Sequence, residues 1–344
     1  MAKLSRFGCR LAPAPELRYG RPTMSVAWLF PGQGSQSVGM GKDVLEASGA
    51  AREVFKRADA ALGEPLTRLI LEGPEDQLTL TANAQPAIVS TSCAILAAIR
   101  ERVPGLALPA FAAGHSLGEY SALVASEALT LEDAVRLVRA RGRAMQEAVP
   151  AATGAMAAIM GIEPARLDEL CREAAGAEVV SPANFNAPGQ IVVAGHAGAV
   201  GRLSERVAAE KGRAIPLKVS APFHCALMGP AGRVVEAELS RITVRSPRFP
   251  VVANFDARAN RDAERVRDLL VRQVDGPVRW EASVRLMAEL GVTCALEIGP
   301  GKVLAGLVKR IAKEIKVLSV GDRASLDQVA GFLAAEGPGA SATR

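Results

Sequence analysis

A G-x-S-x-G pentapeptide, Gly114 to Gly118, stands where an apolar run gives way to a helical pattern. The run covers Pro109 to Ala113, and the helical pattern covers Glu119 to Ala128. A serine at such a strand-to-helix elbow has its hydroxyl raised above the sheet, near backbone N–H groups that can bind an oxyanion. The pattern predicts an α/β fold in which Ser116 attacks a carbonyl. The pentapeptide alone has low specificity in a glycine-rich chain, so its context must support it.

Strand and helix patterns alternate around this elbow. Val26 to Phe30 predicts a first strand, and a glycine-containing turn, Pro31 to Ser35, follows it. Helical patterns cover Asp43 to Leu62, Gln85 to Arg100 and Thr130 to Gln146. Hydrophobic residues make up 49% of the chain but aromatic residues only 4%, so the core is aliphatic. This composition and order favour helices packed on both faces of a parallel sheet.

Between Gly154 and Val219 the predicted order changes to β-α-β-β-α-β, which is ferredoxin-like. The predicted strands are 155–162, 178–184, 190–194 and 214–219, and the helices are 164–175 and 197–210. The larger unit then resumes with a strand at 250–254, helices at 263–273 and 278–290, a strand at 293–298 and a helix at 303–315. We therefore predict a large α/β-hydrolase-like domain formed by residues 24–152 and 220–335. A small ferredoxin-like subdomain, 153–219, interrupts it, and a flexible tail, 336–344, follows it.

The first 23 residues are predicted to lie outside the fold. They carry a net charge of +4 out of +5 for the chain, contain three prolines and have no apolar core segment. Met24 as the true start and an organellar transit peptide are both open interpretations. The remaining residues are nearly neutral, which argues against nucleic-acid binding. An uninterrupted apolar run of about 18 residues is absent, so we predict no membrane span.

The five cysteines are odd in number, widely spaced and without a C-x-x-C pair. This spacing favours reduced thiols over a disulfide framework or a zinc site. We expect a cytoplasmic protein, or an organellar matrix protein if residues 1–23 are a transit peptide. We also expect a monomer.

A serine nucleophile needs a base, usually histidine, and the chain has three. His115 adjoins Ser116 in the sharp turn, which should aim its side chain elsewhere. His196 precedes a helix in the subdomain, where a surface or capping role is expected. His224 lies where the chain returns from the insertion, a position that borders a cleft. It is the favoured base, with a hydrogen-bonded structural histidine as the alternative.

Six ordered motifs carry a family resemblance. They are Phe30-Pro31-Gly32-Gln33-Gly34-Ser35-Gln36, Gly114-His115-Ser116-Leu117-Gly118-Glu119, Arg141-Gly142 with Met145-Gln146, Asn184-x-Asn186-x-Pro188-Gly189-Gln190, Phe223-His224 and Glu297-Ile298-Gly299-Pro300-Gly301. Together they resemble the motifs of malonyl-CoA:acyl-carrier-protein transacylases, above all the stand-alone enzymes of bacterial fatty-acid synthesis. The similarity runs in order from about Val26 to about Ile315.

The resemblance implies transfer of a malonyl group from malonyl-CoA to holo acyl carrier protein. Ser116 would carry the malonyl ester, and His224 would move its proton. The backbone N–H groups of Gln33 and Leu117 would form the oxyanion hole, and the main-chain carbonyl of Gln273 would orient His224. No metal or redox cofactor is implied. Three aspartates, weaker candidates for orienting the histidine, are Asp262, Asp268 and Asp275.

The resemblance also assigns the acyl pocket. Arg141 would hold the free carboxylate of the malonyl group, because a guanidinium can bind a carboxylate through two hydrogen bonds. Gln85 and Asn184 would line the cleft, although a helix-terminal role and a turn role are their respective alternatives. Asn186 is a further candidate of the same kind. The neighbouring arginines Arg136, Arg139 and Arg143 are expected on a solvated helix face.

Several alternatives and expectations remain. A discrete acyltransferase for a polyketide synthase fits the same motifs, whereas a serine esterase or thioesterase would have no use for Arg141. A non-catalytic binding protein is disfavoured because the reactive positions are intact. An acidic carrier predicts a basic docking patch, with Lys211, Arg213 and Lys218 as candidates. Acylation is expected to slow as His224 becomes protonated, so that a flat profile from pH 8 to about pH 5 would argue against this base.

Overall fold

The computed structural model describes residues 25–150, 152–217 and 219–336. The predicted N-terminal extension, nearly all of the predicted tail and Lys218 lie outside these ranges. The strands are β1 (Ser25–Phe30), β2 (Phe111–Gly114), β3 (Gly154–Met160), β4 (Val180–Ala187), β5 (Gln190–His196), β6 (Arg213–Pro216), β7 (Val251–Val252), β8 (Ala259–Asn260), β9 (Val292–Ile298) and β10 (Lys316–Val320).

The helices alternate with these strands through most of the described chain. They are α1 (Lys42–Ala47), α2 (Gly49–Leu62), α3 (Leu66–Glu72), α4 (Glu75–Thr79), α5 (Thr81–Arg102), α6 (Gly118–Ala125), α7 (Leu131–Glu147), α8 (Pro164–Ala175), α9 (Ala197–Ala209), α10 (Gly229–Leu239), α11 (Ala263–Asp275), α12 (Trp280–Glu289), α13 (Val303–Ile311) and α14 (Arg323–Glu336). A short 3-10 turn, Ala226–Met228, precedes α10.

The larger sheet has the strand order β10-β9-β1-β2-β7-β8 and is parallel except for the final β7–β8 pair. Strands β1 and β2 lie side by side at its centre, with Phe30 opposite Gly114 in the register. Both strands are almost entirely buried, because helices cover both faces of the sheet. Their carboxyl ends therefore meet at one edge, and the turn after Phe30 lies beside the elbow that follows Gly114.

The second sheet is antiparallel, with the order β4-β5-β3-β6, and α8 and α9 belong to the same unit. This is the ferredoxin-like arrangement that the sequence predicts, and the predicted fold class is confirmed. One face of this sheet packs on α8 and α9, whereas Met156 and Val192 join the core of the larger unit. A hydrogen bond from the Phe185 N–H to the Val278 carbonyl also joins the two units. The domain boundaries at 152 and 219 stay predictions.

Two predicted helices differ from the structure, and other elements of the structure were not predicted. The single helix predicted over Asp43 to Leu62 is broken at Ser48, whose hydroxyl caps α2 by accepting a bond from the Ala51 N–H at 3.0 Å. The helix predicted to end at Ile315 ends at Ile311, and edge strand β10 follows. Helices α10 and α14 were not predicted from the sequence pattern.

Helix α5 is the described helix that is long and apolar enough to cross a membrane by length and composition. Of its most apolar 18-residue window, 83% is buried inside the fold. The helix packs against α2 and α7. Its apolar character is therefore that of a central core helix.

Candidate active site

The elbow between β2 and α6 holds Ser116 in a left-handed backbone conformation, with φ at 51°. A Cβ at Gly114 would collide with the Gly118 carbonyl, and a Cβ at Gly118 would collide with the Phe30 carbonyl. Both positions therefore require glycine, because the elbow folds back on itself and packs against the end of β1. Asn254, after β7, accepts a hydrogen bond from the Ser116 N–H at 2.6 Å and donates to the Gly114 carbonyl at 2.7 Å.

The structure brings Ser116 and His224 together. The Ser116 hydroxyl Oγ lies 2.8 Å from His224 Nε2, and His224 Nδ1 lies 2.8 Å from the Gln273 carbonyl oxygen. Since a carbonyl can only accept, the proton of the neutral imidazole stays on Nδ1 and leaves Nε2 free to accept the serine proton. None of Asp262, Asp268 and Asp275 bonds to the ring; Asp262 instead caps α11.

Burial, together with the positive charge of Arg141, lowers the pKa of His224 to about 3. The imidazole is 4% exposed. In this site it stays neutral far below the usual titration range of histidine. The expected slowing of acylation on protonation of His224 stays a prediction, and the lowered pKa places that protonation below pH 5.

Arg141 projects from α7 into the same site, although its side chain is only 1% exposed. Its Nη2 donates to Ser116 Oγ at 3.1 Å and to the Gln273 side-chain oxygen at 2.9 Å, and its Nη1 donates to the Gln85 side-chain oxygen at 2.8 Å. Arg141 forms an ion pair with none of the described carboxylates, whereas a buried guanidinium ordinarily has an acidic partner. This charge has room for an anionic ligand.

The neighbouring arginines of α7 behave differently from one another. Arg136 and Arg143 have exposed side chains, as the sequence predicts. Arg139 does not lie on a solvated face: it is 7% exposed, bonds to Asn83 and pairs with Glu64 at 2.9 Å. The sequence prediction for Arg139 is wrong because α7 packs against α2 and α5, which covers more than one of its faces.

A cavity of about 270 Å³ opens onto these groups. Among the residues that line it are Ser116, His224, Arg141, Gln33, Gln85, Asn184, Asn186 and Phe223. Gln273 and Leu117 do not line it; their side chains are 0% and 1% exposed. The Gln273 side chain supports the site from beneath. The cavity also touches Met156 and Val192, so the subdomain forms one of its walls.

The first turn and the elbow approach each other closely. A Cβ at Gly32 would lie 2.5 Å from the His115 carbonyl oxygen, so this position also requires glycine. The N–H groups of Gln33 and Leu117 donate to no other group within the described ranges. Two free backbone donors on either side of the serine are suited to binding an oxyanion.

The remaining predicted residues lie at the edge of the site or away from it. His115 Nε2 donates a 2.8 Å hydrogen bond to the Asn186 side-chain oxygen, which links the elbow to the subdomain. His196 Nδ1 accepts a hydrogen bond from the Val179 N–H at 2.9 Å, within the subdomain. His196 therefore takes no part in the contacts of Ser116. Lys211 and Arg213 are exposed beside β6, where a partner can reach them.

Sequence reasoning missed two residues beneath the serine. Glu119 is 3% exposed, and its Oε2 accepts bonds from the Gln273 side-chain N–H at 2.8 Å and from the Asn254 backbone N–H at 2.9 Å. Burial raises the pKa of Glu119 to about 7. Glu119 stands inside a quoted motif and Asn254 ends a predicted strand. No local pattern indicates that residues so far apart in the chain are bonded to each other.

Metal ligation finds no support in the described part of the chain. No group of three or more His, Cys, Asp or Glu side chains there is placed to hold a metal ion. The four described cysteines are buried and free.

The serine–histidine pair and the buried arginine lie within a region that a protein-family model matches. The family model described as the acyl transferase domain matches residues 27–338. The class of this protein is therefore that of the acyltransferases.

Curated relatives narrow the class. The chain is 47% identical over 301 residues to the malonyl CoA-acyl carrier protein transacylase of Escherichia coli strain K12, which covers 87% of this chain and 97% of the relative. It is 45% identical over 305 residues to the protein of the same name from Bacillus subtilis strain 168, with 88% and 95% covered. The chain belongs to the malonyl CoA-acyl carrier protein transacylase family.

Solved structures agree with this assignment. An acyl carrier protein S-malonyltransferase from Vibrio cholerae superposes with a TM-score of 0.86 at 45% identity, covering 89% of this chain and 99% of the other. A malonyl-transacylase in complex with a type II polyketide synthase acyl-carrier protein gives a TM-score of 0.85, also at 45% identity, with 88% and 98% covered.

Proposed function

We propose that this chain transfers the malonyl group of malonyl-CoA to the phosphopantetheine thiol of acyl carrier protein, through an ester on Ser116, and so supplies fatty-acid synthesis. The names of its relatives support the substrates. The observation that carries the proposal is the buried Arg141 guanidinium, which lies 3.1 Å from Ser116 Oγ and forms an ion pair with none of the described carboxylates. A site of this kind favours an acyl group that ends in a carboxylate.

In the first half of the proposed reaction, Ser116 Oγ attacks the thioester carbonyl while its proton passes to His224 Nε2. The oxyanion that forms receives hydrogen bonds from the Gln33 and Leu117 N–H groups. Collapse of this intermediate breaks the C–S bond. The departing CoA sulfur takes the proton from His224 and leaves as the thiol, and the malonyl ester remains on Ser116.

The second half reverses the direction of transfer. His224 removes the proton of the carrier's thiol, the sulfur attacks the ester carbonyl, and the serine oxygen leaves with that proton. Thioester becomes ester and then thioester again, so no atom changes oxidation state. We therefore propose that the transfer uses neither a metal nor a redox cofactor.

The carrier is proposed to dock near Lys211 and Arg213, because carrier proteins of this kind are acidic. Its pathway is a separate question. A relative that binds a polyketide synthase carrier is 45% identical to this chain, close to the 47% of the Escherichia coli relative. Sequence identity therefore does not show whether the carrier belongs to fatty-acid or polyketide synthesis. Transfer rates to the two kinds of carrier, measured side by side, would distinguish them.

The test is incubation of the protein with malonyl-CoA, with and without holo acyl carrier protein, followed by mass spectrometry of the carrier. We expect malonyl-carrier in the complete mixture and none with Ser116→Ala. Rapid release of malonic acid without transfer to carrier would instead identify a hydrolase, which is the esterase alternative.

The cytoplasmic location and the monomeric state are also proposals. The four described cysteines are free thiols, as expected in a reducing compartment. Light scattering of the purified chain at working concentration should give the mass of one chain, and a dimer mass would contradict the second proposal.

A further inference from the structure

Glu119 is a buried carboxylate directly beneath the nucleophile. It lies in the first turn of α6, three residues after Ser116, and only 3% of it is exposed. Burying a carboxylate costs free energy unless hydrogen bonds compensate for the lost water. The proposed reaction gives Glu119 no proton to move and no substrate to touch. Its retention in the core therefore needs another explanation.

The hydrogen bonds of Glu119 fix the orientation of the Gln273 amide. An amide side chain can turn over, so that its oxygen and nitrogen exchange places. Glu119 Oε2 can only accept here, and it draws the Gln273 nitrogen to 2.8 Å. The Gln273 oxygen is thereby turned toward Arg141 Nη2, at 2.9 Å. The same nitrogen also donates to the Ser116 carbonyl at 3.0 Å.

A second arm leads from Glu119 to the backbone of the nucleophile. The same Oε2 accepts the Asn254 backbone N–H at 2.9 Å. Asn254 in turn accepts the Ser116 N–H through its side-chain oxygen, at 2.6 Å. Ser116 has a positive φ, a conformation that is costly without such support. One oxygen atom thus holds both the guanidinium that faces the acyl group and the serine that attacks it.

We propose that Glu119 is a positioning residue that sets the acyl selectivity of this site, because its Oε2 fixes the Gln273 amide and thereby aims Arg141 at the acyl pocket. This inference rests on the proposed malonyl transfer. The proposed role requires a side chain on α6 that is long enough to place an acceptor oxygen within hydrogen-bond distance of the Gln273 nitrogen. The negative charge of the carboxylate is not required for the orientation of the amide.

Two substitutions of Glu119 separate the effect of its side-chain length from the effect of its charge. Glu119→Gln keeps the length of the side chain and one acceptor oxygen but removes the charge. Glu119→Asp keeps the charge but withdraws the oxygen by one methylene from both donors. The quantity to measure is malonyl preference, which we define as kcat/KM for malonyl-CoA divided by kcat/KM for acetyl-CoA. Glu119→Asp should lower it by about tenfold or more, and Glu119→Gln should keep it within about threefold.

A matched control is available in Glu297. It is another fully buried carboxylate, and it accepts the Leu304 N–H at 2.8 Å and the Ala305 N–H at 3.1 Å, away from the cavity. Glu297→Asp should lower the urea midpoint without changing malonyl preference. If the role of Glu119 were purely structural, Glu119→Asp would behave like Glu297→Asp: it would lower the urea midpoint and leave malonyl preference unchanged.

A double-mutant cycle completes the test. Gln273→Ala removes the amide but keeps the main-chain carbonyl that His224 uses, and in this background Glu119→Asp should lower malonyl preference no further. The inference is overturned if Glu119→Asp leaves the preference unchanged, if Glu119→Gln lowers it as much as Asp, or if the Asp effect is undiminished in the Gln273→Ala background. Failure of the wild type to transfer malonyl would overturn the proposed function as well. Normal wild-type transfer with any of the other three results would overturn this inference alone.

Discussion

Replacement of Arg141 by alanine tests the substrate assignment. A guanidinium has five N–H donors. Three of these donate to Gln85, Gln273 and Ser116, and Nε is buried without a partner. One Nη1 donor therefore remains for a ligand, and the Nη2 donor on Ser116 Oγ becomes available once that oxygen is acylated, which makes two donors in all.

The size of the effect follows from these donors. Each hydrogen bond to a charged group contributes about 1.5–3 kcal/mol, so two such bonds to a malonyl carboxylate contribute roughly 3–6 kcal/mol. Arg141→Ala should therefore lower kcat/KM for malonyl-CoA by at least about 10²-fold, at 1.4 kcal/mol for each factor of ten. Acetyl-CoA has no carboxylate to lose contact with, so its kcat/KM should fall far less.

The assay follows CoA release with both acyl-CoA substrates at saturating holo carrier. Arg143→Ala is the matched control, because Arg143 lies two residues away on α7 with a side chain that is 57% exposed and paired with Glu64. That variant should keep the wild-type preference. An Arg141→Ala enzyme that folds normally and keeps its malonyl-over-acetyl preference would refute the reasoning.

Three further predictions concern protonation and packing. Because the pKa of His224 is lowered to about 3, acylation should show no histidine inflection between pH 8 and about pH 5; rapid-mixing measurement of CoA release tests this, and an inflection near pH 6.5 that persists in Glu119→Gln would contradict it. Burial raises the pKa of Glu119 from 4.5 to about 7, so the folded protein keeps a proton that the unfolded chain loses, and stability falls as pH rises through that window. In urea unfolding, Glu119→Gln should gain about 2.5 kcal/mol over wild type between pH 5 and pH 8, and a difference independent of pH would count against this cause. Gly118→Ala should lose at least about 2 kcal/mol through its clash with the Phe30 carbonyl, whereas Gly201→Ala, with open space around it, should be neutral or stabilising in the same assay.

Much of the fold was predictable because its signals are local. The elbow glycines, the apolar strands β1 and β2 and the β-α-β-β-α-β order all appear as short patterns in the sequence. Strand β10 was not predicted because it is an edge strand of five residues that is only partly buried, and its start follows closely on the end of α13. The break at Ser48 was missed because a capping serine within a helical pattern gives a weak signal.

The site was predictable to the extent that each residue sits in a recognisable motif. Ser116, His224 and Arg141 could be named from their segments, and the structure brings them within hydrogen-bond distance. The support beneath them was not predictable. Glu119 and Asn254 are joined by tertiary contact across 135 residues, and no pattern in the sequence records that pairing.

Trapping of the acyl-enzyme tests the central claim most directly. The protein is mixed with malonyl-CoA without carrier, quenched in acid and digested, and the peptides are mapped by mass spectrometry. We expect one malonyl group on the peptide that contains Ser116, and its disappearance when holo acyl carrier protein is added before the quench, with the same group then found on the carrier. The account would be contradicted by an unmodified Ser116 peptide during active transfer, or by a malonyl group attached to another residue.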